Sequence, residues 1–497
     1  MRISDVLERF ELEAPVAVMA RTALAHAVES RRLDEIFAAN AVQQKCGELA
    51  FSTVVDLMAL VALKAKPSVN AAYMHRTKEK VGVAIASIYN KLQGIEPAVG
   101  RAMVRETAKD FLKVIGSIAG GLVEPVLKGY RTRIIDGNHL AGTEHRIQEL
   151  RTLGAAALPG QAIPILDPDS RVILDLIPCE DGHAGECRMV PDILALVQSG
   201  ELWIGDRKFG TKTMMLTIAL DKKAHFLFRH SLGNVPSWKA CGAEKEVGKI
   251  GDDTLYEQSV EIEFRGRQTT LRRIAIKLAK PTRKGDSEIY LFTNLPSTVK
   301  ARKVAELYRH RWKIETAFQQ LAVCLKGEIK TLGYPKAALF SFCTALMMFN
   351  LLSVIKTAIA AAKKDKELVD ELSTYYLALE ISETWSGLRI ALTDEEFSKL
   401  EGQRTPSQLA RRLISIGKNV NLARMRKSHR GPKKPPPNAS QAIAATTSRH
   451  TQSSPKDTIL ASLKGLALRP IRLTGQGAVF QTSNFKLQTS NFKRALS

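Results

Sequence analysis

The sequence lacks the cysteine pattern of a disulfide-stabilised protein. Its six cysteines are scattered over 497 residues, and no two of them form a CxxC pair. This spacing excludes a disulfide scaffold and predicts a reducing compartment. Cys179, His183 and Cys187 stand at four-residue spacing. A zinc site needs a fourth ligand and a tighter spacing, so a loop before a helix is the favoured interpretation.

Signals for export, for ATP binding and for a membrane anchor are also weak. The first residues carry acids and no apolar h-region, so a signal peptide is not expected. No P-loop is present, so ATP is not implied. Residues 338–355 have no charge and are long enough to cross a membrane, but they include five polar residues or cysteines and stand alone. A helix buried in a large α/β core is the favoured interpretation.

Acidic residues are scarce relative to basic ones. The chain has 50 Asp and Glu against 73 Lys and Arg, which gives a net charge of +23. Such a surplus attracts polyanions through counterion release. Nucleic acid is therefore the leading predicted partner, and an anionic membrane surface is the second. The hydrophobic content of 45% excludes a mostly disordered chain, and the length predicts two to four domains.

The pattern of apolar residues divides the chain into an N-terminal helical part and an α/β part. Residues 1–125 show helical spacing with few turn signals, and "KEKVGVAIASIYNKLQGIE" resembles a helix–turn–helix, so we predict a helical DNA-binding domain there. Short apolar runs that end at Gly, Pro or Asp follow and alternate with helical segments. They predict an α/β catalytic domain with a mixed sheet over residues 126–375. Residues 232–288 predict an inserted β subdomain, and a long helix is predicted from Thr298.

Two further segments complete the predicted organisation. A C-terminal helical section at 376–427 contains two sequences typical of capping boxes, one beginning at Thr393 and one at Thr405. Residues 428–497 have eleven Lys and Arg residues against one acid and few apolar residues. They predict a disordered basic tail.

Three carboxylates are candidates for one site. Asp136 and Asp206 each follow an apolar strand candidate, and Glu315 lies in a helical stretch. Taken singly, each aspartate is as well explained by a turn and the glutamate by a solvated helix face. Neighbouring strands of one sheet would bring both aspartates to one edge, and a helix beside them would add Glu315.

Converging acids predict a metal site. Three carboxylates repel one another unless a cation lies between them. A set of oxygen ligands suits Mg²⁺ or Mn²⁺, and two such ions activate the attacking oxygen and stabilise the leaving one in phosphodiester displacement. We therefore predict Asp136, Asp206 and Glu315 as catalytic residues and as ligands of two ions. His183 or Glu186, on a loop at the same sheet edge, is a further candidate support for the metal, and His139, three residues after Asp136, is another.

Cationic and aromatic residues near these acids predict contacts with DNA phosphate. Tyr308 and Arg311 precede Glu315 at helical spacing, which would place them on its face of one helix. We expect both to hold a phosphate beside the metal. Arg207 and Lys208 follow Asp206 directly and are predicted phosphate contacts as well.

Three motifs resemble those of the insertion-sequence DDE transposases of the IS-four family. "IIDGNHLAGTEHR" resembles the motif of the first aspartate, and "ELWIGDRKFGTKT" resembles that of the second. "YRHRWKIETAFQQL" resembles the signature Y-x2-R-x3-E-x6-K, with Tyr308, Arg311 and Glu315 at its first three positions. The fourth position is Ala322, and the nearest lysine, Lys326, lies one turn further on. The resemblance covers about residues 40–360.

The resemblance implies a fold and a function. It implies a ribonuclease-H-like core with a β insertion between the second aspartate and the glutamate. It also implies a bacterial, cytoplasmic enzyme at the nucleoid that binds inverted-repeat ends of double-stranded DNA, cleaves a strand and joins the 3′-OH to target DNA as a homodimer, without a membrane. Lys326 would then contact phosphate, and Trp238 would stack on a flipped base, although a packed aromatic is the favoured interpretation of Trp238. Two alternatives stay open: a decayed transposase that only binds DNA, and a metal nuclease without strand transfer.

Overall fold

Helices make up the N-terminal quarter of the molecule, as the apolar spacing predicts. The computed structural model describes residues 2–44, 47–75, 81–119, 123–140, 160–230, 238–282, 285–329 and 331–428. The described helices before the first strand are α1 (Ile3–Glu13), α2 (Pro15–Ala27), α3 (Ser30–Asn40), α4 (Phe51–Ala62), α5 (Val69–His75), α6 (Ile85–Gly94) and α7 (Pro97–Ala119). The predicted tail after Ser428 lies outside the described residues.

A mixed sheet follows, which confirms the predicted α/β class. Its first strands are β1 (Arg131–Ile135), β2 (Asn138–His139), β3 (Gln161–Asp167), β4 (Val172–Cys179), β5 (Glu201–Gly205) and β6 (His225–Arg229). Helices α8 (Val190–Leu196) and α9 (Lys212–Leu216) lie between the later strands. The central order is β4-β3-β1-β5-β6; β3 runs antiparallel to β4 and β1, whereas β1, β5 and β6 are parallel.

The predicted β insertion extends this sheet. Its strands are β7 (Trp238–Ala240), β8 (Lys245–Ile250), β9 (Asp253–Phe264) and β10 (Arg267–Lys277). The next strand, β11 (Glu288–Thr293), pairs antiparallel with both β10 and β6. The insertion therefore shares backbone hydrogen bonds with the central strands.

The single long helix predicted from Thr298 is wrong. The structure has α10 (Ala301–Arg309) and α11 (Trp312–Val323) instead. The N–H groups of His310 and Arg311 bond to the carbonyls of Leu307 and Tyr308, three residues earlier, and this tighter turn interrupts the α-helix. As a result, α10 packs on the sheet, whereas α11 packs on the helices that follow it.

The predicted buried helix is confirmed as α12 (Pro335–Lys363), because its most apolar 18-residue window is wholly buried despite a length and composition that would suit a membrane span. Asn350 of α12 also provides hydrogen-bond partners for the backbone at the edge of the sheet. Its side chain accepts a hydrogen bond from Ile173 N at 2.7 Å and donates one to Ile173 O at 2.9 Å. Helix α12 thereby covers the free edge of β4.

The C-terminal helices are α13 (Leu368–Glu371), α14 (Thr374–Ala391), α15 (Asp394–Glu401), α16 (Pro406–Gly417) and α17 (Leu422–Met425). Both predicted capping boxes are confirmed, at the starts of α15 and α16. Helix α2 packs against α14 and α16, and Arg21 of α2 donates to the carbonyls of Leu388 and Leu392. Residues up to Lys427 form one compact unit. The DNA-binding role of residues 1–125 stays a prediction.

Candidate active site

Two aspartates lie side by side at the carboxyl edge of the sheet. Strands β1 and β5 are parallel neighbours, with Ile134 opposite Ile204. Asp136 and Asp206 each come two residues later, immediately after the strand ends. Because both strands run in the same direction, equal spacing from a paired position brings both carboxylates to one edge. The sequence expectation for their position therefore agrees with the fold.

Each aspartate also organises its own turn. An oxygen of Asp136 accepts a hydrogen bond from the N–H of Gly137 at 3.0 Å, and one of Asp206 accepts from the N–H of Lys208 at 2.8 Å. The turn interpretation and the site interpretation are thus compatible, since one oxygen of a carboxylate serves the backbone and the other faces the site.

Arg311 brings Glu315 to the aspartates. Its Nη1 donates to Asp136 Oδ2 at 3.1 Å, and its Nη2 lies 2.6 Å from Glu315 Oε1. The Arg311 side chain is only 12% exposed, whereas that of Glu315 is 50% exposed. Arg311 therefore joins α11 to the end of β1, across the break between α10 and α11, and lies between two of the three predicted metal ligands.

Burial and crowding perturb Asp136. Burial raises the pKa of Asp136 to about 6, the Arg311 guanidinium opposes this rise, and the charges of Asp206, Glu315 and Glu186 add to it. A rise in the presence of a bound arginine means that burial and acid–acid repulsion together outweigh the ion pair. The structure thus gathers four carboxylates near Arg311, and Lys208 pairs with one of them, Glu186.

Glu186 is a more central residue than the sequence indicates. It is buried, and its Oε1 accepts from Lys208 Nζ at 2.5 Å. Its Oε2 is also buried and has no hydrogen-bond partner among the residues that the structure describes. A side chain on Gly137 would lie 2.4 Å from Glu186 Oε1, so the absence of a Cβ there lets the acid approach the first aspartate's loop. In the sequence, the only signal of this role of Glu186 is that an acid stands at the start of a helical turn.

The predicted DNA contacts fall into two groups. Tyr308 is buried beside Arg311, with the guanidinium carbon 5.8 Å from the ring centroid, and Arg207 and Lys208 are exposed beside Asp206. These residues surround the carboxylates. Lys326 instead donates to the Pro67 carbonyl at 2.5 Å, and Trp238 lies on β7 of the insertion.

Each outlying residue has a local contact of its own. Lys326 lines a cavity of about 460 Å³ that also contains Lys64, Lys66 and Asn138. Trp238 lies under the Arg273 guanidinium at 5.1 Å, which is a packed position in the insertion.

The carboxylates fit a divalent cation in their chemistry. All are oxygen donors, and the buried unpartnered oxygen of Glu186 is a ready acceptor. Within the described residues, however, no three Asp, Glu, His or Cys side chains are grouped closely enough to hold a metal ion. Arg311 instead lies between Asp136 and Glu315 and supplies positive charge to both acids.

Comparison with known proteins finds a family that is similar to this part of the chain. Residues 128–350 match the family described as the transposase DDE domain, and this segment contains Asp136, Asp206 and Glu315. No curated protein matches the chain in sequence. A cryo-EM structure of a piggyBac transposase synaptic complex with hairpin DNA is similar, with a TM-score of 0.37, 10% identity, and coverage of 82% of this chain and 86% of that chain. Similarity of that degree does not extend to individual residues.

The match covers the strands that carry both aspartates and the helix that carries the glutamate. Enzymes with this domain use divalent metal ions, in agreement with the oxygen-only donor set. Residues 128–350 therefore match a transposase DDE domain, and this match supports an enzyme of DNA cleavage and strand transfer.

Proposed function

We propose that the chain is an insertion-sequence transposase of the IS-four type, with a ribonuclease-H-like core. One observation carries the proposal: Asp136 and Asp206 follow register-matched ends of neighbouring parallel strands, and Arg311 links Glu315 to Asp136. The strand order, three antiparallel strands followed by two parallel ones, supports the core architecture. The Tyr308, Arg311 and Glu315 spacing supports the IS-four assignment.

In this proposal the enzyme binds the inverted-repeat ends of its element, hydrolyses a strand and joins the 3′-OH to target DNA. Asp136, Asp206 and Glu315 hold two Mg²⁺ or Mn²⁺ ions. Such ions would activate the attacking oxygen and stabilise the leaving oxygen. Exposed Arg207 and Lys208 neutralise the scissile strand's phosphates, and Arg311 turns from the acids to a phosphate when DNA arrives.

The remaining partners follow from the reaction. Two ends require two active sites, so a homodimer on DNA is proposed, located at the bacterial nucleoid without a membrane. Lys326 is proposed to contact phosphate beyond the signature helix, and Trp238 to meet a base if the Arg273 contact opens.

The test is cleavage of a labelled transposon-end duplex with Mg²⁺ or Mn²⁺ by Glu315→Gln, beside a gel shift with the same DNA. We expect cleavage to fall by roughly a thousandfold or more, with DNA binding retained. Glu306→Gln on α10 is the control: Glu306 pairs with Arg302 on the surface at 3.2 Å, so this variant should cleave normally. Wild-type cleavage by Glu315→Gln would remove Glu315 from the site.

A decayed transposase that only binds DNA is the second candidate. Ala322 at the lysine position of the signature favours it. Sequence-specific binding of end DNA without any metal-dependent cleavage by the unmodified chain would establish this alternative. Cleavage without joining of pre-cut ends would instead identify a nuclease that lacks strand transfer.

A further inference from the structure

A half-open cavity of about 440 Å³ lies beside α11. Lys313, Thr316 and Gln320 line it at i, i+3 and i+7, which is one face of the helix. Glu315 is offset from Lys313 by about 200° around the axis, so it points away from this cavity toward Arg311. The volume lies within the range of about 300–1,000 Å³ that is typical of small-ligand pockets. The cavity is therefore distinct from the carboxylate site.

Lys356 is a buried lysine in the wall of this cavity. It lies near the end of the apolar helix α12, is 8% exposed, and donates from Nζ to Thr374 Oγ1 at 2.6 Å. Thr374 in turn donates to Gln320 Oε1 at 3.0 Å. A neutral hydroxyl does not compensate a buried ammonium, which normally requires an anionic partner. Among the residues that the structure describes, no carboxylate accepts a hydrogen bond from Lys356.

The charges around Lys356 are mainly of the same sign. Arg171, Lys313 and Lys427 line the same cavity, where Asp370 is the one acid among the lining residues. Arg171 already occupies both Asp370 oxygens, at 3.0 and 2.7 Å. Burial, together with the charges of Lys427 and Arg171, lowers the pKa of Lys356 to about 7. Cations that lower one another's pKa in a half-buried cavity indicate that the cavity lacks an anionic ligand.

The rest of the lining is apolar and aromatic. Leu166, Phe349, Leu352 and Val369 contribute hydrocarbon surface. Trp312 also lines the cavity, yet 65% of it is exposed. A large exposed aromatic beside lysines is the usual arrangement for stacking a nucleic-acid base while cations hold its phosphate. A bare inorganic anion would leave this surface unused.

We propose that this cavity binds one nucleotide, with its phosphate on Lys313, Lys427 and Lys356 and its base against Trp312. The phosphate supplies the charge that Asp370 does not, and the base covers the exposed aromatic. This nucleotide has two chemical sources, an unpaired residue of a DNA strand or a free mononucleotide. The proposal goes beyond the proposed transposase function and does not require metal or cleavage.

The test is calorimetric titration of the full chain in EDTA with dTMP, with inorganic phosphate and with a thymidine tetranucleotide. We expect dTMP to bind more tightly than phosphate. Trp312→Ala should weaken dTMP binding about tenfold and leave phosphate binding unchanged, because only the base stacks. Lys313→Gln, alone and combined with Lys427→Gln, should weaken both by about tenfold or more.

The control is Lys399→Gln combined with Lys418→Gln, which removes two exposed lysines outside the cavity and should change nothing at this site. Thermal unfolding of each variant shows that the fold is retained. Tetranucleotide binding that is tighter than dTMP and equally sensitive to Trp312→Ala identifies a DNA strand as the source; equal affinities identify a mononucleotide. Equal binding of dTMP and phosphate, or binding insensitive to the Lys313 and Trp312 variants, would overturn the proposal.

Discussion

Helix α11 separates two regions that carry an excess of opposite charge. On one face, the carboxylates Asp136, Asp206, Glu186 and Glu315 outnumber the cations Arg311 and Lys208. On the other face, the basic lining of the cavity surrounds the single acid Asp370. In each region the counter-charges are fewer than the charges that they face. The comparison teaches that a partly buried site with an excess of one charge calls for a ligand of the opposite charge. That ligand is a cation on the acidic face and an anion on the basic face.

The pKa shifts of the two regions express the same physics in opposite directions. The pKa of Asp136 rises to about 6, whereas that of Lys356 falls to about 7. Burial is the largest cause in both, since it penalises whichever form is charged. Neighbours of like charge add to each shift. A bound ligand of the opposite sign would reverse both shifts.

The largest expected effect is on the acidic face. Asp206→Asn should reduce cleavage of an end duplex by roughly a thousandfold or more, because an amide is a weak ligand for a hard cation. Adding Asp136→Asn should cause little further loss, as expected of residues that act as a unit. Asp221→Asn, which changes an exposed acid paired with Arg267, is the control. Additive losses in the double variant would show that the two aspartates act separately.

Removing Arg311 from between the acids should change Mn²⁺ binding and cleavage in opposite directions. Without DNA, Arg311→Ala should tighten Mn²⁺ binding by roughly tenfold, since the acids lose their internal counter-charge. Cleavage should nevertheless fall, because DNA phosphate loses a contact. Mn²⁺ binding is measured by electron paramagnetic resonance. Arg309→Ala, which removes an exposed arginine 3.6 Å from Asp253, should leave Mn²⁺ binding unchanged. Weaker Mn²⁺ binding by Arg311→Ala would mean that Arg311 positions Glu315 for the metal.

A smaller effect is expected from the loop after β1. Gly137→Ala places a Cβ 2.4 Å from Glu186 Oε1, so the flexible acid must turn away from Lys208. We expect cleavage to fall several-fold, with unfolding free energy lowered by only about 1 kcal/mol. Gly185→Ala, where a Cβ would meet nothing within 4 Å, is the matched control. Equal activity of the two variants would exclude a role for the position of Glu186.

The last effect concerns stability, rather than cleavage, on the basic face. Because the pKa of Lys356 is lowered from 10.5 to about 7, the unfolded chain binds more protons between these values. Stability should therefore rise with pH across this window, by at most about 1.4 kcal/mol per pH unit, relative to Lys356→Met. Denaturant unfolding at pH 7 and pH 9.5 measures it. The facing groups Arg171, Lys427, Asp370 and Cys324 stay in both proteins. An equal change of unfolding free energy with pH in the two proteins would contradict the lowered pKa of Lys356.

Local signals in the sequence predict the parts of the fold whose cause is local. The caps at Thr393 and Thr405 follow from residue identity within one turn, and the strands before Asp136 and Asp206 follow from apolar runs that end at a turn. The position of both aspartates at one edge needs one further step, the pairing of β1 with β5. That step is predictable because an α/β chain favours parallel neighbours.

The break at His310 and Arg311 has no such local signal. Helical spacing continues through it in the sequence, so a single helix is the natural prediction. In the folded protein, Arg311 reaches Asp136, which is 175 residues earlier, while α10 packs on the sheet and α11 on α12. Contacts at this separation in sequence override a local helical preference.

The sequence by itself therefore determined the carboxylate set, the buried helix and the excess of positive charge, because each is a matter of residue type and spacing. Only the tertiary structure decided that Arg311 lies between the acids, that Glu186 joins them, and that Lys356 faces other cations across a cavity. The physical reason is that charge balance at a buried site depends on distances between side chains from remote segments. Residue order along the chain does not carry those distances.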